Sequence, residues 1–362
     1  MNLSIISFTK NGMLLSERVA NQMAEAEIIL FTKCIEASLV VSDSEDTVLK
    51  KSPVFVEERI GEWARAQMEA KNALLFIGAC GIAVRAIASS VIDKLQDSPV
   101  LVMDEKGEYI IPILSGHVGG GNEIARLIAG KTGAVPVITT ATDINGKFAV
   151  DLFAKKNGLH IVNKAGIAKV SSKILAGKPV IISIESGHIG KNCKLPQGIQ
   201  RIAYPPEQFA EIVVTAEERS FDADILLKPR EYIIGLGCRR GKEAEKIEAL
   251  IEKSMKELGI SSEQILAITS IEKKKDEQAF LVWSRKNNVP FITYTSEQLQ
   301  QVEGTFHHSS FVRDKVGVDN VCERAALKAC QFGGKLVYEK HAEDGMTIAI
   351  AKREWSVVFD EE

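Results

Sequence analysis

His117 is the residue in this chain best suited to moving protons near neutral pH, and its neighbours are those of a ligand loop. It sits in Ser115-Gly116-His117-Val118-Gly119-Gly120-Gly121-Asn122, directly after the apolar run Ile110 to Leu114. Glycines let a bulky anionic group approach backbone N–H groups without meeting a Cβ. A helix N-terminus close by favours the neutral imidazole that a general base or an uncharged donor requires. The same signals also suit a plain tight turn. A second polar strand end, Thr139-Thr140-Ala141-Thr142-Asp143, closes on an aspartate that could cap a helix near Phe148. Threonines at a strand end are by themselves ordinary β-chemistry.

Two more glycine punctuations carry basic residues. Gly78 and Gly81 precede a helix bearing Arg85, and Gly235-Leu236-Gly237-Cys238-Arg239-Arg240-Gly241-Lys242 sets three cations beside a helix start. The second stretch has the makings of a carboxylate clamp, and a solvated basic cluster is the plain alternative. It is not a P-loop, because Glu243 follows the lysine and the glycines stand too close. Nor is it a dinucleotide fingerprint, since Arg240 occupies the place of a required glycine.

These loops need strands and helices to hold them. Leu3 to Phe8, Glu27 to Phe31, Ala73 to Ile77 and Pro99 to Met103 read as strands, with helices over Met13 to Glu25 and Arg59 to Lys71 and another that follows Gly81 and runs to about Leu95. Ser42 to Ser52 reads as a loop. Glu105, Lys106 and Gly107 look like a hairpin turn, Tyr109 to Gly130 is strand, glycine loop and helix, and Pro136 to Thr139 is the next strand. Three such loops at strand ends argue for one crevice along a parallel sheet. Leu159 to Leu227 continues as short β and α units, with strands at Val180 to Ile184 and Ile212 to Thr215. There Ser186-Gly187-His188 echoes Ser115-Gly116-His117 without a helix behind it, and it reads as coincidence. Lys228 to Glu231 reads as a linker. A new α/β unit then begins at Tyr232, with a helix over Lys242 to Leu258, a charge run at Lys273 to Glu277, and a helix near Asn320 to Cys330.

The totals bound the answer. The 362 residues, 45% of them apolar, suffice for two or three cores. A net charge of −3 argues against bulk nucleic-acid binding. Without an apolar run of about 18 residues or a signal-like N-terminus, the expectation is a cytoplasmic protein that does not enter membranes. Six scattered cysteines, with no C-x-x-C pair, suit reduced thiols and no zinc site. The expected architecture is α/β: two three-layer α/β/α domains with largely parallel or mixed sheets, joined by a smaller α/β middle unit. The expected boundaries are residues 1–135, 136–228 and 229–362.

Taken together, the motifs resemble the CbiG family, the cobalt-precorrin-5A hydrolases of anaerobic cobalamin biosynthesis. The resemblance rests on Gly81-x-x-x-Val84-Arg85, on LSGH-x-GG-x-N from Leu114 to Asn122, and on VITTATD from Val137 to Asp143. In the last third, which is similar to a separate CobE-type domain, it rests on Gly235 to Arg240, Lys274 to Glu277, and Val316-Gly317-Val318 followed by Glu323 and Ala325-Ala326-Leu327. Gly121, where alanine is usual, and Ala88-Ser89, where Ala-Pro is usual, depart from the pattern.

The resemblance implies hydrolysis of the ring A δ-lactone of a cobalt-containing, multiply carboxylated macrocycle, followed by release of acetaldehyde. His117 or Asp143 would be the base, and amides from Gly119 to Asn122 the oxyanion donors. Gly81, Arg85, Ser115, Gly116, Gly119, Gly120, Gly121, Asn122, Thr139, Thr140, Thr142, Gly237, Arg239, Arg240, Lys274 and Glu277 would contact the substrate. The cobalt arrives inside that tetrapyrrole, so no cofactor is expected. Homodimerisation and transient contact with other corrin-pathway enzymes are compatible with this role. The rival readings are a non-catalytic corrinoid-binding or hand-over protein and a nucleotide-binding transferase, the latter disfavoured by the missing fingerprints.

Overall fold

A computed structural model describes residues 2–23, 26–35, 52–93, 96–117, 119–190, 193–330 and 333–359, with the side chains of 310–312 left aside. Most of the loop expected at Ser42 to Ser52, and Leu95, lie outside the described residues. By contact the chain divides into Met1–Lys147 and Phe148–Glu362.

The first unit is one seven-stranded sheet in the order β3-β2-β1-β4-β5-β6-β7. Its strands are β1 (Asn2–Ser7), β2 (Glu27–Thr32), β3 (Val54–Phe55), β4 (Ala73–Ile77), β5 (Val100–Met103), β6 (Tyr109–Leu114) and β7 (Val135–Pro136). Every residue of β4 and β5 is buried, as continuous apolar runs covered on both faces must be. Helices α1 (Lys10–Gln22) and α4 (Gly121–Thr132) cover one face through Leu15, Val19, Ile124 and Ile128. On the other face α2 (Ile60–Glu69) and α3 (Cys80–Ile87) pack Trp63, Ala64, Ala83 and Ala86. This is the expected three-layer domain. Because β7 pairs with β6, the stretch that follows it, including α5 (Ala141–Ile144), stays with the first sheet. The division thus falls later than residue 135. Helix α3 stops at Ile87 and passes into a 3-10 turn at Ala88–Ser90, short of the expected Leu95.

Two strands, β6 and β7, run against the others. β1 to β5 are mutually parallel, but β5 and β6 are antiparallel, pairing Val100 with Leu114 and Met103 with Ile110. The turn between them is too short for any other pairing. Leu114 therefore ends at the edge of the sheet where β5 begins, whereas Gly78 lies at the opposite edge, its N–H donating to the Met103 carbonyl.

The second unit holds two five-stranded sheets. The first has the order β10-β9-β11-β12-β8, from β8 (Leu159–Ile161), β9 (Val180–Ile184), β10 (Ile199–Ile202), β11 (Ala210–Val214) and β12 (Ala223–Pro229), with α6 (Val150–Lys156) and α7 (Ala165–Leu175). The second has the order β15-β14-β13-β17-β16, from β13 (Tyr232–Cys238), β14 (Ile265–Ile271), β15 (Phe291–Tyr294), β16 (Gly334–Glu343) and β17 (Met346–Arg353). Helices α8 (Ala244–Leu258) and α9 (Gln278–Asn287) cover one face of that sheet through Ile247, Ile251, Phe280 and Trp283. Two short helices, α10 (Ser296–Gln300) and α11 (Ser310–Val316), precede α12 (Cys322–Ala329), which covers the other face. After β17 the chain returns to the middle sheet. Val358 pairs with the Asn157 side chain, and Phe359 stacks on Phe153 with ring centroids 4.8 Å apart. His188 belongs to this junction: it lies flat on Trp355 at 3.9 Å and contacts its carbonyl oxygen at 2.7 Å. The Ser-Gly-His echo is therefore a packing feature.

Glu323, in the first turn of α12, is nearly inaccessible, yet it accepts from the backbone N–H groups of His307 and Lys340 and from the His307 ring. Burial pushes its pKa up, but these donors outweigh burial and hold it below the ordinary value. A carboxyl with a depressed folded pKa contributes stability above its unfolded pKa and loses it as pH falls through the folded one. Glu323→Gln should thus lower the urea midpoint of the second unit at neutral pH by the equivalent of about 2 kcal/mol. The gap to the parent should close on acidification below about pH 4. A gap independent of pH would refute this assignment.

Candidate active site

His117, Asn122, Thr140 and Asp143 converge at one edge of the first sheet, because β6 and β7 run parallel and deliver their following loops side by side. His117 Nδ1 lies 2.7 Å from Asp143 Oδ2. A carboxylate can only accept, so in this bond Nδ1 carries the hydrogen, and in the neutral ring the lone pair is then on Nε2. The same Oδ2 accepts from Asn122 Nδ2 at 3.0 Å, whose other hydrogen goes to Thr140 Oγ1 at 3.1 Å. Arg126 Nη2 stands 3.5 Å from Asp143 Oδ1. Only 16% of the His117 side chain and 12% of that of Asp143 are exposed, so the pair is screened little by water. Asp143 is thus no cap for a later helix: it lies within α5, and Ala149 precedes α6.

The glycines serve close packing within the loop. A Cβ at Gly116 would come within 2.6 Å of Asn122 Oδ1, and one at Gly119 within 2.4 Å of Ser115 Cβ. Gly120 takes φ 87° as the cap of α4. The expected bank of amide donors is largely spent inside the loop: Gly120 N–H goes to His117 O, Gly121 N–H to Ser115 O, and Asn122 N–H to Gly116 O. These three amides cannot also bind an oxyanion. Thr142 is buried and Thr139 exposed.

Gly81 and Arg85 do not join this site. They lie at the opposite sheet edge, where both are exposed and the Arg85 guanidinium rests over Gly81. One crevice served by all three loops is ruled out by the reversal of β6.

In the second unit, Arg239 and Arg240 are exposed at the carboxyl end of β13. Lys274 and Glu277 instead bond each other at 2.7 Å, and Glu277 accepts from Gly241 N–H at 3.0 Å, which fixes the loop carrying the arginines. Lys242 is engaged with Asp344. Gly237 lets Thr347 approach, since a Cβ there would meet its Oγ1 at 2.5 Å. Burial pushes the neighbouring Cys238 thiol up to about 11, so it stays protonated at neutral pH. Sequence reasoning missed His307, whose ring nitrogen lies 2.8 Å from Glu323, because partners 16 positions apart in a loop and a helix leave no periodic signal. A cavity of about 400 Å³ walled by His160, Arg219, Lys228 and Glu263 holds none of the site residues expected from the sequence.

Three sheets, with a histidine–carboxylate pair at a glycine loop of the first, define a multidomain α/β protein. Three family models match in order: Cobalamin synthesis G N-terminal over residues 62–143, Cobalamin biosynthesis central region over 148–229, and Cobalamin synthesis G C-terminus over 232–351. The chain is 34% identical to the cobalt-precorrin-5A hydrolase of Priestia megaterium over 72% of its own length and 73% of that protein. It is also 34% identical to the cobalt-precorrin-5A hydrolase of Salmonella typhimurium, over 79% of its length and 84% of that one. A third of the chain is 27% identical to Protein CobE of a Sinorhizobium species, covering 78% of it. The chain belongs to the CbiG family, the cobalt-precorrin-5A hydrolases of cobalamin biosynthesis, and carries a CobE-like C-terminal part. Among the described residues, no helix is long and apolar enough to cross a membrane.

Proposed function

We propose that the chain opens the ring A δ-lactone of cobalt-precorrin-5A and releases acetaldehyde, with His117 as the proton-transferring group. The observation carrying this reading is the 2.7 Å hydrogen bond between His117 Nδ1 and Asp143, braced by Asn122. Asp143 holds the tautomer in which Nε2 takes a proton from water as it attacks the lactone carbonyl. Nε2 then returns the proton to the departing alkoxide. Neutral again, His117 takes the proton of the freed carbinol, the carbon–carbon bond to the ring breaks, its electron pair passes into the macrocycle, and acetaldehyde leaves. Cobalt enters as part of the substrate. Anaerobic incubation with cobalt-precorrin-5A should yield one acetaldehyde per macrocycle consumed. Tight corrinoid binding without acetaldehyde would make the chain a hand-over protein instead.

Arg239 and Arg240, exposed beside a fixed loop, are suited to peripheral carboxylates, which are held equally in ground and transition states. The double substitution Arg239→Ala, Arg240→Ala should raise KM on the order of tenfold, one charge-assisted hydrogen bond's worth, with kcat little changed. A fall in kcat at constant KM would place these arginines in the chemical step.

A further inference from the structure

We infer that the Ser115 hydroxyl donates the hydrogen bond that stabilises the lactone oxyanion. This rests on the hydrolase reading and adds a catalytic residue to it. Ser115 ends β6 with φ 50°, in the left-handed region that glycine occupies freely and serine does not. Its Oγ is buried and, among the described residues, has no hydrogen-bond partner. Each condition costs stability, and glycine at position 115 would remove both. The chain uses glycine at 116, 119, 120 and 121 and keeps serine here. Trp63 Nε1 and Ser90 Oγ also lack partners, but neither residue has a left-handed backbone.

The donor inventory of the loop points the same way. The amides of Gly120, Gly121 and Asn122 are consumed by His117 O, Ser115 O and Gly116 O. A tetrahedral intermediate still needs a donor placed before the reaction begins. Ser115 stands two positions before the histidine of the pair, and among the described residues its Oγ–H has no acceptor, which a substrate carbonyl would bring. Water adds to the lactone carbonyl carbon, its proton passes to His117, and the carbonyl π electrons move onto oxygen, which accepts from Ser115. Collapse restores the carbonyl and breaks the ring C–O bond, and the alkoxide takes the proton from His117. Ser115 gains and loses no atom.

Ser115→Ala and Ser115→Gly test this in the full chain, by anaerobic turnover of cobalt-precorrin-5A together with thermal melting. The expected result is a fall in kcat of roughly 10²- to 10³-fold at nearly unchanged KM for both variants. Ser115→Gly should melt no lower than the parent, and Ser115→Cys, a weaker donor of similar size, should show intermediate turnover. Turnover of Ser115→Ala within a few-fold of the parent would overturn the inference. So would a loss of activity in Ser115→Gly that merely tracks a lowered melting temperature. An acyl ester on Ser115, seen by mass spectrometry after acid quench, would overturn the donor role by making Oγ the attacking atom. A parent that releases no acetaldehyde refutes the hydrolase reading, whereas an active parent beside an equally active Ser115→Ala refutes only this inference.

Discussion

His117→Asn should leave a folded protein that binds the macrocycle and opens its lactone roughly 10²- to 10⁴-fold more slowly, the range typical of losing a general base. Asparagine keeps a polar side chain of moderate size that can still reach Asp143, so the loop should survive. What disappears is the nitrogen opposite Nδ1, which no neighbour replaces: Asn122 does not titrate, and the Asp143 carboxylate is already occupied by Asn122. Stopped anaerobic time courses of acetaldehyde release give the measurement. If the folded variant keeps turnover within a few-fold of the parent, His117 only shapes the loop and Asp143 becomes the base.

The largest effect on stability should come from Gly235→Ala. Gly235 lies in the middle of β13, and a Cβ there would sit 1.8 Å from the Cys322 carbonyl oxygen and 2.7 Å from its carbon. Both are backbone atoms, so no rotamer change relieves the clash, and α12 must withdraw from the sheet. That withdrawal opens the contacts of Ala326 and Ala329 with Ile233, and those of Ala325 with Ile271. A cost of about 3 kcal/mol or more is expected, from overpacking plus lost burial. Urea unfolding followed by the fluorescence of Trp283, buried in the same sheet domain, should show the midpoint falling accordingly. An unchanged midpoint would mean that α12 is free to shift without loss.

Much of this fold is legible locally. The strand at Ile110 to Leu114, the helix behind the glycines, and the helix that Gly259 ends each declare themselves through the spacing of apolar residues, although the second of them runs past Gly130 to Thr132 and is capped by Gly133. What escaped was a matter of direction. A hairpin at Glu105 to Gly107 obliges β6 to reverse, and that parity places Arg85 and His117 at opposite edges, although each loop taken alone follows an apolar strand. For the glycines of the site loop, the plain tight turn is the alternative that the packing favours. Their spacing suggested room for a ligand, but the room is filled by Ser115 and Asn122, and three amides turn inward. Partnerships such as His117 with Asp143, or His307 with Glu323, arise only once separate elements fold side by side.

The segment after β17, from Glu354 to Phe359, bears on how such chains can be recombined. It completes no strand of the CobE-like sheet, but supplies Trp355 to His188, Val358 to Asn157 and Phe359 to Phe153. A domain exchange bounded at Arg353 would deliver an intact sheet and strip the recipient's middle domain of its aromatic cover. Compatible graft points lie beyond Phe359, so the tail is inherited with its neighbour in space and not with the sheet it follows in sequence.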